Sequence, residues 1–410
     1  MSHFALSSEQ ERVHDDLMSW LQCREEDGGY RNYITVGGYA GTGKTHLAAA
    51  LRISLRDLNR STRVGFCAFT GKASSVLRER LESMGGLYKG DHMGTIHSMI
   101  YRPITAEDEE GRRKIVGWEK RLKLPYDVII LDEASMVSSD LWKDLTSYDI
   151  PIVAVGDHGQ LPPIGDRFSI VHRPDLVLNE IHRQALDSPI VRLSAEVRRK
   201  GHIPFGTFGE DVCKIRRTGS DFEDVFESLD FSQPNIVTLC GMNWTRVQLN
   251  SQIRRRLRYY GEMPCEGERI ICLKNNHYTK MMNGQLGTLG SIGLCVAPDI
   301  YEAVLAMDNM QEPYQTLMHS CCFGKRGYNG YYDEVSPKKV GQILDDTGYH
   351  AVDLFDFGYA ISVHRSQGSE WDSVLLFEER SRYWDDEFYK RWLYTAVTRA
   401  KGGLFVIAKD

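Results

Sequence analysis

The sequence predicts an α/β protein of two layered domains, and three observations carry that expectation. Short runs that are apolar at nearly every position recur along the chain, the pattern of strands buried on both faces of a parallel sheet. Helical stretches separate them. The runs fall into two sets, and a glycine-rich region of different texture interrupts the second. At 410 residues the chain has room for two or three cores.

Taken in order, the first set comprises 33–37, 64–69, 128–131 and 152–155, with helices expected over 45–58 and 73–81. The second set comprises 236–240, 359–363, 374–377 and 404–408, with a helix before its last member. Residues 264–357 carry alternating segments such as 268–273 and glycines at 284, 287, 290 and 293, which predicts a small β-rich insertion. In 101–118, β-prone flanks at 98–104 and 114–118 enclose the charged Ala106-Glu-Asp-Glu-Glu-Gly-Arg-Arg113. A projecting hairpin and a disordered surface loop both fit that stretch.

Composition narrows the function classes. With 42% hydrophobic residues the chain can bury cores, which excludes a mainly disordered protein. No uncharged apolar run approaches 18 residues, and the opening MSHFALSSEQERVHDD lacks the basic and apolar stretches of a signal peptide, so a cytoplasmic protein without a membrane segment is expected. A net charge of -6 argues against a polycation that coats nucleic acid. A local basic track remains, since Arg246, Arg254, Arg255, Arg256 and Arg258 lie within thirteen residues free of acids. The nine cysteines form no CxxC, which predicts reduced thiols and no zinc site.

The strongest chemical signal is Gly38-Tyr-Ala40-Gly41-Thr42-Gly43-Lys44-Thr45, a complete GxxxxGK[ST] between a buried strand and a helix. Glycines let backbone N–H groups curl around phosphate oxygens, and the helix N-terminus adds positive potential. Lys44 is placed to reach the β and γ phosphates, and the Thr45 hydroxyl to bind magnesium. Val128-Ile-Ile-Leu-Asp132-Glu133 supplies the second half: an apolar strand delivers two carboxylates at its carboxyl end, where α/β sheets bind ligands. Asp132 is the expected Mg2+ ligand, and Glu133 the group that polarises the attacking water. ATP and Mg2+ are therefore the expected ligands.

DEAS at 132–135, then Gly156-Asp-His-Gly-Gln160-Leu-Pro-Pro163 after the next strand, make the chain resemble a superfamily 1 helicase of the RecD and phage Dda branch. Cys67-Ala-Phe-Thr70-Gly-Lys72-Ala resembles motif Ia, Gly94-Thr95-Ile-His97 motif Ib, and Leu178-Asn-Glu-Ile-His-Arg183 motif IV. Val363-His364-Arg-Ser-Gln367-Gly368-Ser-Glu370 resembles motif V, and Tyr394-Thr-Ala-Val-Thr-Arg399-Ala-Lys401 motif VI. The resemblance implies two RecA-like P-loop domains with ATP in the cleft between them. Domain 1A would occupy 1–179 with a hairpin insertion at 98–124. Domain 2A would occupy 180–263 and 358–410, with a β-barrel insertion at 264–357.

On that resemblance, Arg183 and Arg399 are the candidate arginine fingers, Gln160 senses the γ-phosphate, and Gly368 and Glu370 approach the nucleotide. Gln10 resembles an adenine-reading glutamine, while Ser7 and Gln10 equally satisfy a capping box. Thr70, Lys72, Thr95 and His97 would contact DNA in the first domain, and Thr245, Arg246 and His364 in the second. The segment 101–118 resembles in position a strand-splitting pin, with Tyr101 or Trp118 supplying any stacking. The implied activity is ATP-dependent 5′-to-3′ translocation and unwinding by a monomer. Single-stranded and forked DNA are the expected partners, with single-strand-binding or replication proteins as candidate protein partners. A translocase that remodels protein–DNA complexes and a plain nucleic-acid-binding module are the rival readings.

Overall fold

The computed structural model describes residues 6–23, 31–107, 113–162, 168–181, 187–274, 276, 281, 283–308, 310, 312–326 and 352–408, with backbone alone at 72, 105–107 and 113–117. Among the described residues, the first domain is a six-stranded parallel sheet. Its spatial order is β3 (His92–Thr95), β2 (Val64–Ala68), β6 (Val128–Leu131), β7 (Ile152–Gly156), β1 (Tyr33–Gly38) and β8 (Leu176–Leu178). The wholly apolar runs are its central strands: β2, β6 and β7 are buried at every residue, as a sheet covered by helices on both faces requires. The edge strands β3 and β8 are less buried; the mixed His92-Met-Gly-Thr95 and the brevity of Leu176-Val-Leu178 gave no strand signal in the sequence. The adjacent strands β6, β7 and β1 point their carboxyl ends the same way. The phosphate loop, the Asp132–Glu133 pair and the Gly156–Gln160 turn therefore converge on one edge.

The second domain repeats the design with β17 (Ala360–Ser362), β11 (Ile236–Cys240), β18 (Trp371–Phe377), β19 (Ala400–Ala408), β10 (Val212–Arg216) and β9 (Gly206–Gly209). All its pairings are parallel except the antiparallel edge strand β9. Its core reaches into the first domain: Leu161, beyond β7, is buried in the cluster that holds Trp392, Tyr394 and Val397.

Among the described residues a closed five-stranded barrel interrupts this sheet, formed by β12 (Arg269–Cys272), β13 (Leu286–Ala297), β14 (Ile300–Met307), β15 (Tyr314–His319) and β16 (Val352–Phe357). The periodic glycines now have a reason. A Cβ at Gly287 would lie 2.6 Å from Met307 Sδ and 2.8 Å from the Ala306 carbonyl, so only a bare backbone lets β13 approach β14 this closely. Register shifts beside Gly290 and Gly293 then bend the strand around the barrel.

The segment after motif Ib is a two-stranded antiparallel ribbon, β4 (Tyr101–Glu107) with β5 (Arg113–Lys120), in which Pro103 faces Trp118. Its base is bolted to the helix Ser139–Thr146 that follows the carboxylate strand. The Tyr101 hydroxyl donates to Asp144, and Lys120 Nζ lies 3.0 Å from the other oxygen of the same carboxylate. The Tyr148 hydroxyl donates to the carbonyls of Ile100 (3.1 Å) and Arg121 (2.7 Å). No helix among the described residues is long and apolar enough to cross a membrane.

Candidate functional site

The phosphate loop curls because Gly41 and Gly43 adopt left-handed conformations (φ 81° and 75°) open to glycine at little cost. Gly38 has no room for a side chain, since its Cβ would meet Thr42 Oγ1 at 2.7 Å. Lys44 folds over this curl, with Nζ donating to the carbonyls of Gly38 (2.8 Å) and Tyr39 (3.0 Å). Gln10 braces the loop from the N-terminal helix Ser8–Cys23. Its Nε2 donates to the Thr42 carbonyl (3.1 Å), while its Oε1 accepts from the Ser7 N–H (3.0 Å). One side chain thus makes the capping interaction and supports the loop.

Across the sheet edge, Asp132 Oδ1 accepts from the Glu133 N–H at 2.9 Å. Glu133 has a left-handed backbone (φ 53°), a strained state for a residue with a side chain. Burial pushes the Asp132 carboxyl above its ordinary range, against the opposing Glu133 N–H and Lys44. Burial and then the neighbouring Asp132 charge push Glu133 up to about 7. Two carboxylates that ionise reluctantly in the bare cleft, beside the Thr45 hydroxyl, form an all-oxygen donor set suited to Mg2+ held by few protein ligands and by phosphate. The residues present therefore fit a magnesium nucleotide.

The same cleft, with a volume of about 310 Å³, is closed from the second domain by Gly368, Glu370 and Arg399. Arg399 is buried, and its guanidinium donates to the carbonyls of Thr395 (3.1 Å) and Ser369 (3.0 Å) and to Thr398 Oγ1 (3.1 Å). Gly368 is left-handed (φ 71°), and a Cβ there would sit 3.0 Å from Thr70 Oγ1, so motifs Ia and V touch across the cleft. Gln160 is buried beside Asp157, and its Oε1 has no hydrogen-bond partner among the described residues. Arg183 lies outside the described residues. Arg80 and Lys401 also line the cleft and were missed. Arg80 sits on a polar helix surface that carries no motif, whereas Lys401 closes the motif VI run.

The expected DNA track divides. Thr70 and Thr95 cap helices, accepting from the N–H of Ala73 (3.1 Å) and Ser98 (3.2 Å). Thr70 also lines a groove with Arg365, Gln367 and the barrel residues Asn283 to Gln285, where all three parts of the fold meet. The Lys72 side chain lies outside the described residues. The His97 ring lies 5.8 Å from that of Tyr101, and His364 lies 5.9 Å from Phe388, its pKa lowered by burial.

Three expectations need correction. Arg246 is buried in an ion pair with Asp356 and also donates to the Lys325 carbonyl (2.7 Å), so it ties the helix Asn243–Arg256 to the barrel and has no face left for DNA. Thr245 is buried, its hydroxyl donating to Glu379. Tyr101 is an anchor, since Asp144 holds its hydroxyl, and burial, then that bond, raises its pKa to about 12. Trp118, by contrast, is exposed on the hairpin. The basic track splits likewise: Arg254 forms a buried two-pronged pair with Glu268 (2.7 and 3.0 Å), while Arg255, Arg256 and Arg258 face solvent.

Two family models match, an AAA domain over residues 29–166 and a UvrD-like helicase C-terminal domain over 357–407. They cover the phosphate-loop sheet except its edge strand β8, and the last strands of the second domain. The ATP-dependent RecD2 DNA helicase of Deinococcus radiodurans is 26% identical over 98% of this chain and 48% of its own length. The ATP-dependent DNA helicase dda of Enterobacteria phage T4 is 23% identical over 92% of this chain and 94% of its own. This chain is similar to superfamily 1 helicases of the RecD and Dda kind. It spans about half the length of the RecD2 relative and 66% of the RecBCD enzyme subunit RecD of Mycobacterium tuberculosis, which is 24% identical over 92% of this chain. A solved Bacteroides Pif1 bound to ssDNA aligns with 98% of this chain and 92% of its own at 15% identity, with a TM-score of 0.48.

Proposed function

We propose that the chain is an ATP-dependent DNA helicase that translocates 5′ to 3′ on single-stranded DNA and unwinds duplexes. One observation carries this reading: Thr45, Asp132 and Glu133 of the first sheet and Glu370 and Arg399 of the second line a single cleft. Hydrolysis built across two bodies responds to their approach, and phosphoryl transfer depends mainly on positioning and charge neutralisation. Magnesium supplies charge neutralisation on the phosphate oxygens when bound, and Thr45 and Asp132 are the residues to hold it. Lys44 neutralises the β and γ phosphates, Glu133 orients and accepts a proton from the attacking water, and Arg399 stabilises the transition-state charge from the second domain.

The groove shared by Thr70, Arg365 and the barrel favours a strand running past both domains, because it lies beside the Gly368–Thr70 contact that borders the cleft. The 5′-to-3′ polarity rests on the branch resemblance. The hairpin at Tyr101–Lys120 is the reading for a strand-separating pin, with Trp118 as its exposed aromatic. The test is unwinding of forked duplexes bearing only a 5′ or only a 3′ tail. Unwinding of the 5′-tailed substrate alone supports the reading, whereas a 3′-tail requirement reverses the polarity. ATP turnover without unwinding of either substrate leaves a translocase.

A further inference from the structure

The last helix of the second domain, Asp386–Val397, pushes one side chain into the loop ends of the first. The Tyr394 hydroxyl accepts the N–H of Ala40, inside the phosphate loop, at 2.9 Å, and donates to Asp157 Oδ2 at 2.7 Å. Asp157 also holds the turn that carries Gln160: its Oδ1 accepts the Gly159 N–H at 2.9 Å, and its Oδ2 faces Gln160 Nε2 at 3.4 Å. The neighbouring rings leave Tyr394 little alternative position. Tyr39 meets it edge-on at 6.0 Å and is itself held between His158 (4.1 Å) and the Arg198 guanidinium (3.4 Å), the latter from the second domain. A Cβ at Gly159 would come within 3.0 Å of both tyrosine rings.

We propose that Tyr394 is the positioning residue that sets the phosphate loop and Gln160 by the seating of the second domain. A single hydroxyl joins a loop amide, the Gln160 turn and the helix that ends beside Arg399, so movement of that helix displaces both halves of the nucleotide site together. Burial and the Asp157 charge hold the phenol protonated, which keeps it a donor to Asp157. The inference rests on the ATP-site reading above and adds to it how the domains inform that site.

The test compares Tyr394→Phe with Thr395→Val. The second change severs the adjacent cross-domain bond, Leu161 N–H to Thr395 Oγ1 (3.0 Å), but leaves the tyrosine in place. Two readouts are taken: kcat for ATP, and the factor by which a non-hydrolysable ATP analogue shifts the affinity for a fluorescent single-stranded oligonucleotide. Tyr394→Phe should lower kcat at least about tenfold and collapse the coupling factor, expected at about 5–150-fold in the parent, toward one. Analogue affinity measured without DNA should stay within about twofold, because the residue positions and does not bind. Thr395→Val should keep both readouts near the parent. Equal losses in the two variants, no loss in either, or a Tyr394→Phe defect confined to nucleotide affinity would overturn the proposal. If Tyr394→Phe does not fold, Asp157→Asn carries the same expectation and the same overturning outcomes. A parent without turnover or coupling defeats the ATP-site reading itself, a result visible before any variant is made.

Discussion

Glu133 is held in a left-handed backbone at the end of a fully buried strand, with its carboxyl raised to about 7. Such strain persists where the surroundings over-determine it, and here they aim the carboxylate into the cleft. Glu133→Gln should therefore keep nucleotide binding and lose turnover, measured by analogue binding beside ATP hydrolysis. Lys44→Ala should lower turnover by at least about 10²-fold, because the phosphate charge loses its nearest compensating cation. Parent-like turnover in Lys44→Ala would sink the assignment of the loop. At this scale the sequence was clearest where a motif names a backbone geometry, as in the phosphate loop. It was poorest for charge. Arg254 and Arg255 are neighbours in one basic run, yet Arg254 is buried against Glu268, which is fully buried, and Arg255 faces solvent. Arg254→Ala should cost about 3–5 kcal/mol in denaturant unfolding, since it strands the Glu268 charge. Arg255→Ala should leave the unfolding midpoint where it is. Only the helix phase relative to the barrel separates the two, and the flat apolar pattern of 243–256 does not reveal that phase.

The hairpin and the barrel are elements whose existence could be read but whose attachments could not. Alternation and glycine spacing foretold strands at 264–357, and two β-prone flanks at 101–118 fitted a ribbon as well as a surface loop. Closure of the barrel needs β15 to pair in parallel with β16 across a long sequence interval, a long-range choice that local pattern does not encode. Likewise, Tyr101 was a candidate for stacking until Asp144, forty-three residues away, took its hydroxyl. The pin reading predicts a separation of functions. Replacing residues 103–115 by a short Gly-Ser turn keeps the Tyr101–Asp144–Lys120 base, so DNA-stimulated ATPase and single-strand translocation should persist while forked-duplex unwinding collapses. Trp118→Ala should weaken unwinding more than it weakens single-strand binding, through loss of a contact worth about 1–3 kcal/mol per stacked base. Parent-rate unwinding by the 103–115 replacement would reduce the ribbon to a surface feature.

Over the whole molecule, two α/β sheets meet so that one supplies the phosphate loop and carboxylates and the other supplies an arginine and an acid to the same cleft. The order of motifs along the chain announced both sheets. Their meeting was not legible, because Leu161 buried among Trp392 and Tyr394, and Gln367 Nε2 donating to the Leu161 carbonyl at 2.7 Å, join residues more than two hundred positions apart. DNA affinity should fall steeply with salt, since the chain is acidic overall and binding must rely on localised phosphate contacts that release counterions. Titration of a labelled oligonucleotide at several salt concentrations measures that slope. The most direct test of hydrolysis shared between the domains is the kcat for ATP with and without a single-stranded oligonucleotide, in the parent and in Arg399→Ala. The cleft geometry predicts strong stimulation of the parent by DNA and a loss of about 10³-fold or more in Arg399→Ala with DNA present. Turnover indifferent both to DNA and to the loss of Arg399 would contradict it.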